Sequence, residues 1–116
     1  MLKGRLTTHV LDTTLGGPAV GLALRLYRLD GDDRRLLGTA VTNADGRTDR
    51  PLLEGEAFGV GVYEIQFEVG AYHRAAGADI PFLDAVPVRF GISDLEANYH
   101  VPLLLSPFGY STYRGS

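Results

Sequence analysis

The chain has 116 residues, of which 45% are hydrophobic and 22% charged, and these are the proportions of an ordinary globular domain rather than of a disordered chain. A formal net charge of -3, with no cluster of lysine and arginine, gives no support to nucleic-acid binding. Without cysteine, the chain can form no disulfide, thiolate nucleophile or cysteine-based metal site. It has neither a signal-like nor a membrane-spanning apolar run, so we expect one cytoplasmic domain over residues 1–116.

Most of the chain consists of short segments in which apolar and polar residues alternate. The alternation predicts strands over residues 5–12, 20–27, 36–42, 62–69 and 86–92, separated by turns rich in Gly, Asp, Asn and Pro. In the first of these strands, His9 lies on the face opposite Leu6 and Val10. Residues 71–77 form the one predicted helix, about two turns long, with Gly77 as its stop.

The last seventeen residues have a distinctive organisation. An apolar run at 101–105 predicts a buried strand, 106–109 a turn, and 110–113 a second strand. The sequence closes on Tyr113-Arg114-Gly115-Ser116, and a polar tip that directly follows a buried hairpin is expected to belong to a site. Seven or eight short strands, one helix and no strand–helix alternation together predict an antiparallel β-sandwich.

The three histidines are the first candidates for chemistry. His9 and His100 each lie on a predicted strand, opposite its clearest apolar residues, although two solvated surface histidines would show the same pattern. His73, on the predicted helix, is more simply a surface residue. A zinc site made of all three is conceivable on ligand type, but no closely spaced pair of ligands supports it.

Arg47 is the candidate for binding a planar ligand. It directly follows an Asp-Gly turn, and its guanidinium could hold such a ligand by two parallel hydrogen bonds. A solvated loop arginine, or a surface ion pair with Asp45 or Asp49, is the commoner alternative. Because the chain has no serine nucleophile elbow, phosphate loop or spaced pair of carboxylates, these residues alone do not name a reaction.

Several separated blocks resemble the transthyretin-like 5-hydroxyisourate hydrolases. They are residues 6–12 with the following Gly-Gly-Pro-Ala, residues 42–47, residues 61–64, the short helix with residues 82–90, and the terminal Tyr-Arg-Gly-Ser. The resemblance covers nearly the whole chain. It implies an all-β, transthyretin-like β-sandwich of two four-stranded sheets with one short helix. It also implies a homotetramer, built as a dimer of dimers, with active sites in the channel between dimers.

The implied reaction is hydrolysis of a cyclic amide, the conversion of 5-hydroxyisourate to 2-oxo-4-hydroxy-4-carboxy-5-ureidoimidazoline in urate catabolism, with no metal or organic cofactor. The resemblance assigns catalytic roles to His9, His100, Arg47 and Ser116, and substrate binding to His9, Arg47, Tyr113 and Arg114. One departure is Asn98, where many members have histidine; it shares a face with His100 and could shift its pKa. The alternatives are a non-catalytic carrier of a small aromatic ligand and, less favoured, a purely structural sandwich.

Overall fold

The computed structural model describes residues 4–116 and places their strands in two sheets. The elements in chain order are β1 (Arg5–Asp12), β2 (Gly17–Pro18), β3 (Ala23–Asp30), β4 (Asp33–Val41), β5 (Leu53–Glu54), β6 (Gly61–Phe67), α1 (Val69–Ala75), β7 (Val86–Ile92), β8 (Tyr99–Ser106) and β9 (Gly109–Thr112), with one 3-10 turn at Gly55–Ala57. No helix within this described range is long and apolar enough to cross a membrane.

The two sheets have different topologies. The first has the order β2-β1-β8-β9, with β5 also paired to β1, and the second has the order β4-β3-β6-β7. The predicted β-sandwich with one short helix is confirmed. Two details differ from the sequence prediction: the two-residue strands β2 and β5 bring the first sheet to five strands, and β1 pairs with β8 in parallel. Because the strands of the second sheet lie between β1 and β8 in the sequence, no tight hairpin forces β1 and β8 to be antiparallel.

The core lies between the sheets and fixes which face of β1 and β8 is free. Leu6 and Val10 on β1 and Leu103 and Leu105 on β8 are fully buried, together with side chains of the second sheet such as Ile65. Since side chains alternate along a strand, the residues between them point to the outer face of the first sheet. This outer face carries the candidate histidines.

Several predicted boundaries were wrong: β4 spans Asp33–Val41 rather than 36–42, and β6 spans Gly61–Phe67 rather than 62–69. Neighbouring contacts explain two further differences. Val20 was expected to begin a strand, but it is 54% exposed and β3 starts at Ala23. The segment before β3 is instead held as a loop, since the Leu22 N–H donates to the Thr42 hydroxyl. The helix begins at Val69 rather than at residue 71, because Val69 is buried and the Gly70 N–H donates to the Asp84 carbonyl at 2.6 Å.

Candidate active site

The loop between β4 and β5 is attached to the middle of β1. The Val10 N–H donates to the Gly46 carbonyl at 2.8 Å, and His9 and Arg47 form a β-bridge. Asn43 shapes the loop, because its side-chain carbonyl accepts from the N–H of Asp45 at 2.9 Å and from that of Arg47 at 3.1 Å. Arg47 is therefore held beside His9 by backbone geometry, although the two are far apart in sequence.

The ring of His9 is oriented by this same loop. Its Nε2 lies 2.8 Å from the backbone carbonyl oxygen of Asp45. A carbonyl oxygen can only accept a hydrogen bond, so Nε2 donates and must carry the proton in the neutral ring. Nδ1 is then the nitrogen with the free lone pair, which is the form needed to accept a proton.

Arg47 presents an exposed guanidinium at this site. Within the described residues 4–116, its side chain makes no ion pair or hydrogen bond with another side chain. Asp49, a possible partner on sequence grounds, instead accepts from the Asn43 amide at 3.0 Å. The predicted alternative of a loop ion pair is therefore not realised, and the five donors of the guanidinium can address a ligand.

His100 lies next to this pair on the neighbouring strand. The parallel register aligns Thr7 with His100 and His9 with Pro102, so both histidines lie on the outer face of the first sheet. The Thr7 hydroxyl is 2.9 Å from Nδ1 of His100. Burial lowers the pKa of His100 below its usual 6.5, and the positive charges of Arg47 and His9 lower it further. His100 is therefore neutral at pH 7.

The terminal residues are attached directly to His100. The Gly115 N–H donates to the His100 carbonyl at 2.7 Å, and the two residues form a β-bridge. A Cβ at position 115 would lie 2.6 Å from Cδ2 of the imidazole, so only glycine lets the chain pass this closely. Ser116 follows at once and is exposed.

Replacing Gly115 with alanine is expected to lower kcat/KM about a hundredfold, because the added methyl pushes the imidazole out of position. Steady-state kinetics on 5-hydroxyisourate would measure the change, with circular dichroism to check folding. Gly109→Ala is the matched control, since a Cβ there has its nearest neighbour at 3.8 Å. Wild-type activity in Gly115→Ala would show that the position of the ring does not depend on this contact.

Tyr113 and Arg114 lie apart from this group within one chain. The Arg114 guanidinium stacks 4.2 Å from the centre of the Tyr99 ring and donates to the Asn98 carbonyl at 3.3 Å. Tyr113 and Arg114 line a pocket of about 360 Å³ whose other walls include Val88, Phe90, Tyr99, Val101 and Thr112. Neither His9, Arg47 nor His100 lines that pocket. The assignment of Tyr113 and Arg114 to substrate binding stays a prediction.

His73 is separate from the other two histidines. The prediction of a surface residue was wrong, because His73 is buried on α1 with its ring edge-on to Tyr72 at 5.6 Å. Within the described part of the chain, no group hydrogen-bonds to its Nε2. Among residues 4–116, no three or more His, Cys, Asp or Glu side chains come together closely enough to hold a metal ion. The three histidines therefore do not form a common cluster in the chain as described.

Two residues important to this geometry were not singled out from the sequence. Alternation already places Thr7 on the face of His9, but its contact with His100 depends on a parallel pairing that the sequence does not reveal. Asn43 lies in the block that carries the family resemblance, and an asparagine two residues before an Asp-Gly pair is typical of a side-chain-stabilised turn. That signal could have identified it.

Comparisons with known proteins identify the family of this chain. Residues 6–115 match the model of the HIUase/Transthyretin family. The chain is 62% identical to 5-hydroxyisourate hydrolase 2 of Rhizobium meliloti (strain 1021), over 98% of each protein. Its structure matches a Klebsiella pneumoniae 5-hydroxyisourate hydrolase with 34% identity and a TM-score of 0.84, over 97% of this chain and 99% of the other.

The fold is also similar to that of a transthyretin. Transthyretin from Sparus aurata matches with 32% identity and a TM-score of 0.88, over 96% of each chain. The fold alone therefore does not separate a hydrolase from a transthyretin, whereas the 62% identity lies with a hydrolase. Both comparisons and the family model place this chain in one family: it belongs to the HIUase/Transthyretin family.

Proposed function

We propose that this protein hydrolyses 5-hydroxyisourate to 2-oxo-4-hydroxy-4-carboxy-5-ureidoimidazoline, a step of urate catabolism. The observation that carries the proposal is the convergence of His9, Arg47 and His100 on the outer face of one sheet. The high identity to 5-hydroxyisourate hydrolases supports the same reaction and disfavours the alternative of a small-ligand carrier.

The three side chains match what the chemistry needs. Hydrolysis of a cyclic amide requires a water that loses a proton as it attacks and a stabilised negative charge on the carbonyl oxygen. Two neutral histidines supply a base and a hydrogen-bond donor. Arg47 holds the planar, oxygen-rich substrate through its carbonyl oxygens, because a guanidinium presents two parallel N–H groups.

The terminal residues complete the proposed site. Ser116 lies beyond the Gly115–His100 bridge and would bring its hydroxyl toward the bound substrate. Tyr113 and Arg114 line a pocket at the open edge between β7 and β9. In this proposal they contact the substrate when a second chain packs against that edge. Edge strands β7 and β9 both end their sheets and so leave backbone groups available to another subunit.

We therefore also propose a homotetramer, a dimer of dimers, located in the cytoplasm. The exposed site face and the two open edges support assembly, whereas the compartment rests on the sequence prediction. Light scattering coupled to size exclusion is expected to give a mass four times that of the 12.5 kDa chain. A monomer with full activity would show that the site is complete within one chain.

Freshly generated 5-hydroxyisourate is expected to disappear faster with this protein than in buffer alone, as followed by ultraviolet absorbance. His9→Ala should abolish the acceleration, because it removes the ring that the Asp45 carbonyl orients. His73→Ala is the matched control, since His73 lies on α1, away from the site. Binding of 5-hydroxyisourate without accelerated decay would favour the carrier. If the protein neither binds 5-hydroxyisourate nor accelerates its decay, both functions are contradicted.

The ring of His100 is expected to take up a proton only below pH 6.5. Burial, Arg47 and His9 all lower its pKa, so a falling pH protonates it later than an unperturbed histidine. NMR spectra of the His100 ring between about pH 5 and pH 8 would measure this transition separately from that of His9. A His100 transition centred above pH 6.5 would contradict its neutral role.

A further inference from the structure

We propose that Thr7 is a positioning residue, whose hydroxyl holds the ring of His100 at Nδ1 and presents Nε2–H to the substrate. The proposal rests on the proposed hydrolase function for its kinetic consequences, but its geometry stands independently. Thr7 Oγ1 lies 2.9 Å from His100 Nδ1. The two residues are aligned partners in the parallel pair of β1 and β8, and both are half-buried on the outer face.

The direction of this hydrogen bond follows from what else the hydroxyl can do. In the described part of the chain, this is the one hydrogen bond of the Thr7 side chain. If the hydroxyl accepted from Nδ1–H, its own proton would have no partner in the protein. If it donates to Nδ1, the proton without a protein partner is instead the Nε2–H of His100, which is not a buried orphan and is free to meet water or substrate. We take Thr7 as the donor, so that neutral His100 carries its proton on Nε2.

The two histidines then hold opposite tautomers and have different roles. His9 Nε2 donates to the Asp45 carbonyl, so its Nδ1 accepts a proton. His100 accepts at Nδ1 from Thr7, so its Nε2–H donates. The Nδ1 lone pair of His9 and the Nε2–H of His100 are both fixed before the substrate binds, so neither ring has to reorient as charge develops.

The reaction balances with these assignments. His9 Nδ1 takes a proton from water as the water oxygen bonds to the amide carbonyl carbon. The Nε2–H of His100 hydrogen-bonds to the carbonyl oxygen as it becomes negative, and His100 stays neutral throughout. When the C–N bond breaks, His9 returns the proton to the leaving nitrogen. His9 ends in its starting form, and the new carboxylic acid releases its proton to solvent.

The tautomer can be measured without substrate. In ¹⁵N-labelled protein above the His100 transition, long-range ¹H–¹⁵N spectra are expected to show His100 protonated at Nε2 and not at Nδ1. Thr7→Val should remove the preference and give a mixture of tautomers. Nδ1-protonated His100 in the wild type would overturn the proposal. This readout remains decisive even if the protein does not act on 5-hydroxyisourate.

Kinetics separates positioning from mere packing. Thr7→Val is expected to lower kcat about 10- to 100-fold with little change in KM, and Thr7→Ser to restore most of it. Only the neutral ring can accept from Thr7, so the pKa of His100, followed by NMR of its ring, should rise in Thr7→Val under the unchanged charges of His9 and Arg47.

Thr13→Val provides the matched control, because the Thr13 hydroxyl joins the far end of the same strand pair by donating to the Leu105 carbonyl at 3.1 Å. This variant should keep the wild-type kcat and the wild-type pKa of His100. Equal losses in Thr7→Val and Thr7→Ser, or the same loss in Thr13→Val, would overturn the positioning role. A wild type without activity would overturn the proposed function and leave the tautomer measurement to decide the role of Thr7.

Discussion

Replacing Arg47 with lysine is expected to lower kcat/KM on 5-hydroxyisourate by about a hundredfold or more, even though the positive charge is kept. The guanidinium is exposed beside His9 and, among the described residues, is not engaged by another side chain. Its value to the site is the planar pair of N–H groups, which can meet two substrate oxygens at once. An ammonium group offers a point charge on a flexible stem and cannot reproduce that geometry.

The measurement is steady-state kinetics with spontaneous decay subtracted. Arg50→Lys is the control, because Arg50 is an exposed arginine three residues further along the same segment and lies outside the site. The decrease in kcat/KM should appear in Arg47→Lys and not in Arg50→Lys. Arg47→Lys with wild-type kcat/KM would show that charge alone is sufficient, and would remove two-point substrate binding from the mechanism.

Replacing Gly46 with alanine is expected to lower the free energy of unfolding by about 3 kcal/mol and to abolish most of the activity. Gly46 has a φ of 75°, and a Cβ there would lie 2.4 Å from the Val10 carbonyl oxygen. The alanine variant therefore combines a left-handed backbone with a clash against β1. Relief of the clash requires the loop to move away from His9, and Arg47 would move with it.

Gly16→Ala separates these two costs. Gly16 has a φ of 69° but has no neighbour within 4 Å of an added Cβ, so its replacement should cost only about 1–2 kcal/mol for the backbone. Urea unfolding of both variants at one protein concentration gives the comparison. Similar decreases in the free energy of unfolding of the two variants would mean that the clash with Val10 is relieved at little energetic cost, and that the loop is not firmly attached to the sheet.

The elements of this fold were predictable where one face of a strand is buried. β1 occupies residues 5–12 as predicted, and the terminal hairpin has its turn where Pro107 and Gly109 indicated. Glu64 shows the limit of the method. Alternation along β6 places Glu64 opposite the inward-facing Tyr63 and Ile65, on the outer face, where it pairs with surface arginines. It is nevertheless only 4% exposed, because Arg34 and Arg89 cover it at 3.2 and 3.3 Å. Cross-strand neighbours decide such burial, and alternation within one strand does not identify them.

The sequence names candidate site residues but does not reveal their arrangement. His9, Arg47 and His100 were named from the family resemblance, and the structure brings them to one face. What links them is the pairing of strands that are distant in sequence, and a pattern within one segment carries no information on its partner. The contact of Thr7 with His100 spans 93 positions and follows from this pairing alone.

The parallel pair of β1 and β8 also affects when the protein becomes active. As the chain is synthesised, β1 emerges first, but its central partner follows only after the whole second sheet. Contacts of such long range form late in folding, because the loop that they close must be ordered first. The same event that completes the core, burial of Leu103 and Leu105 against β1, also places His100 beside His9. Chains that end before β8 would therefore lack both the completed core and the neighbouring histidines, so that stability and the site are lost together.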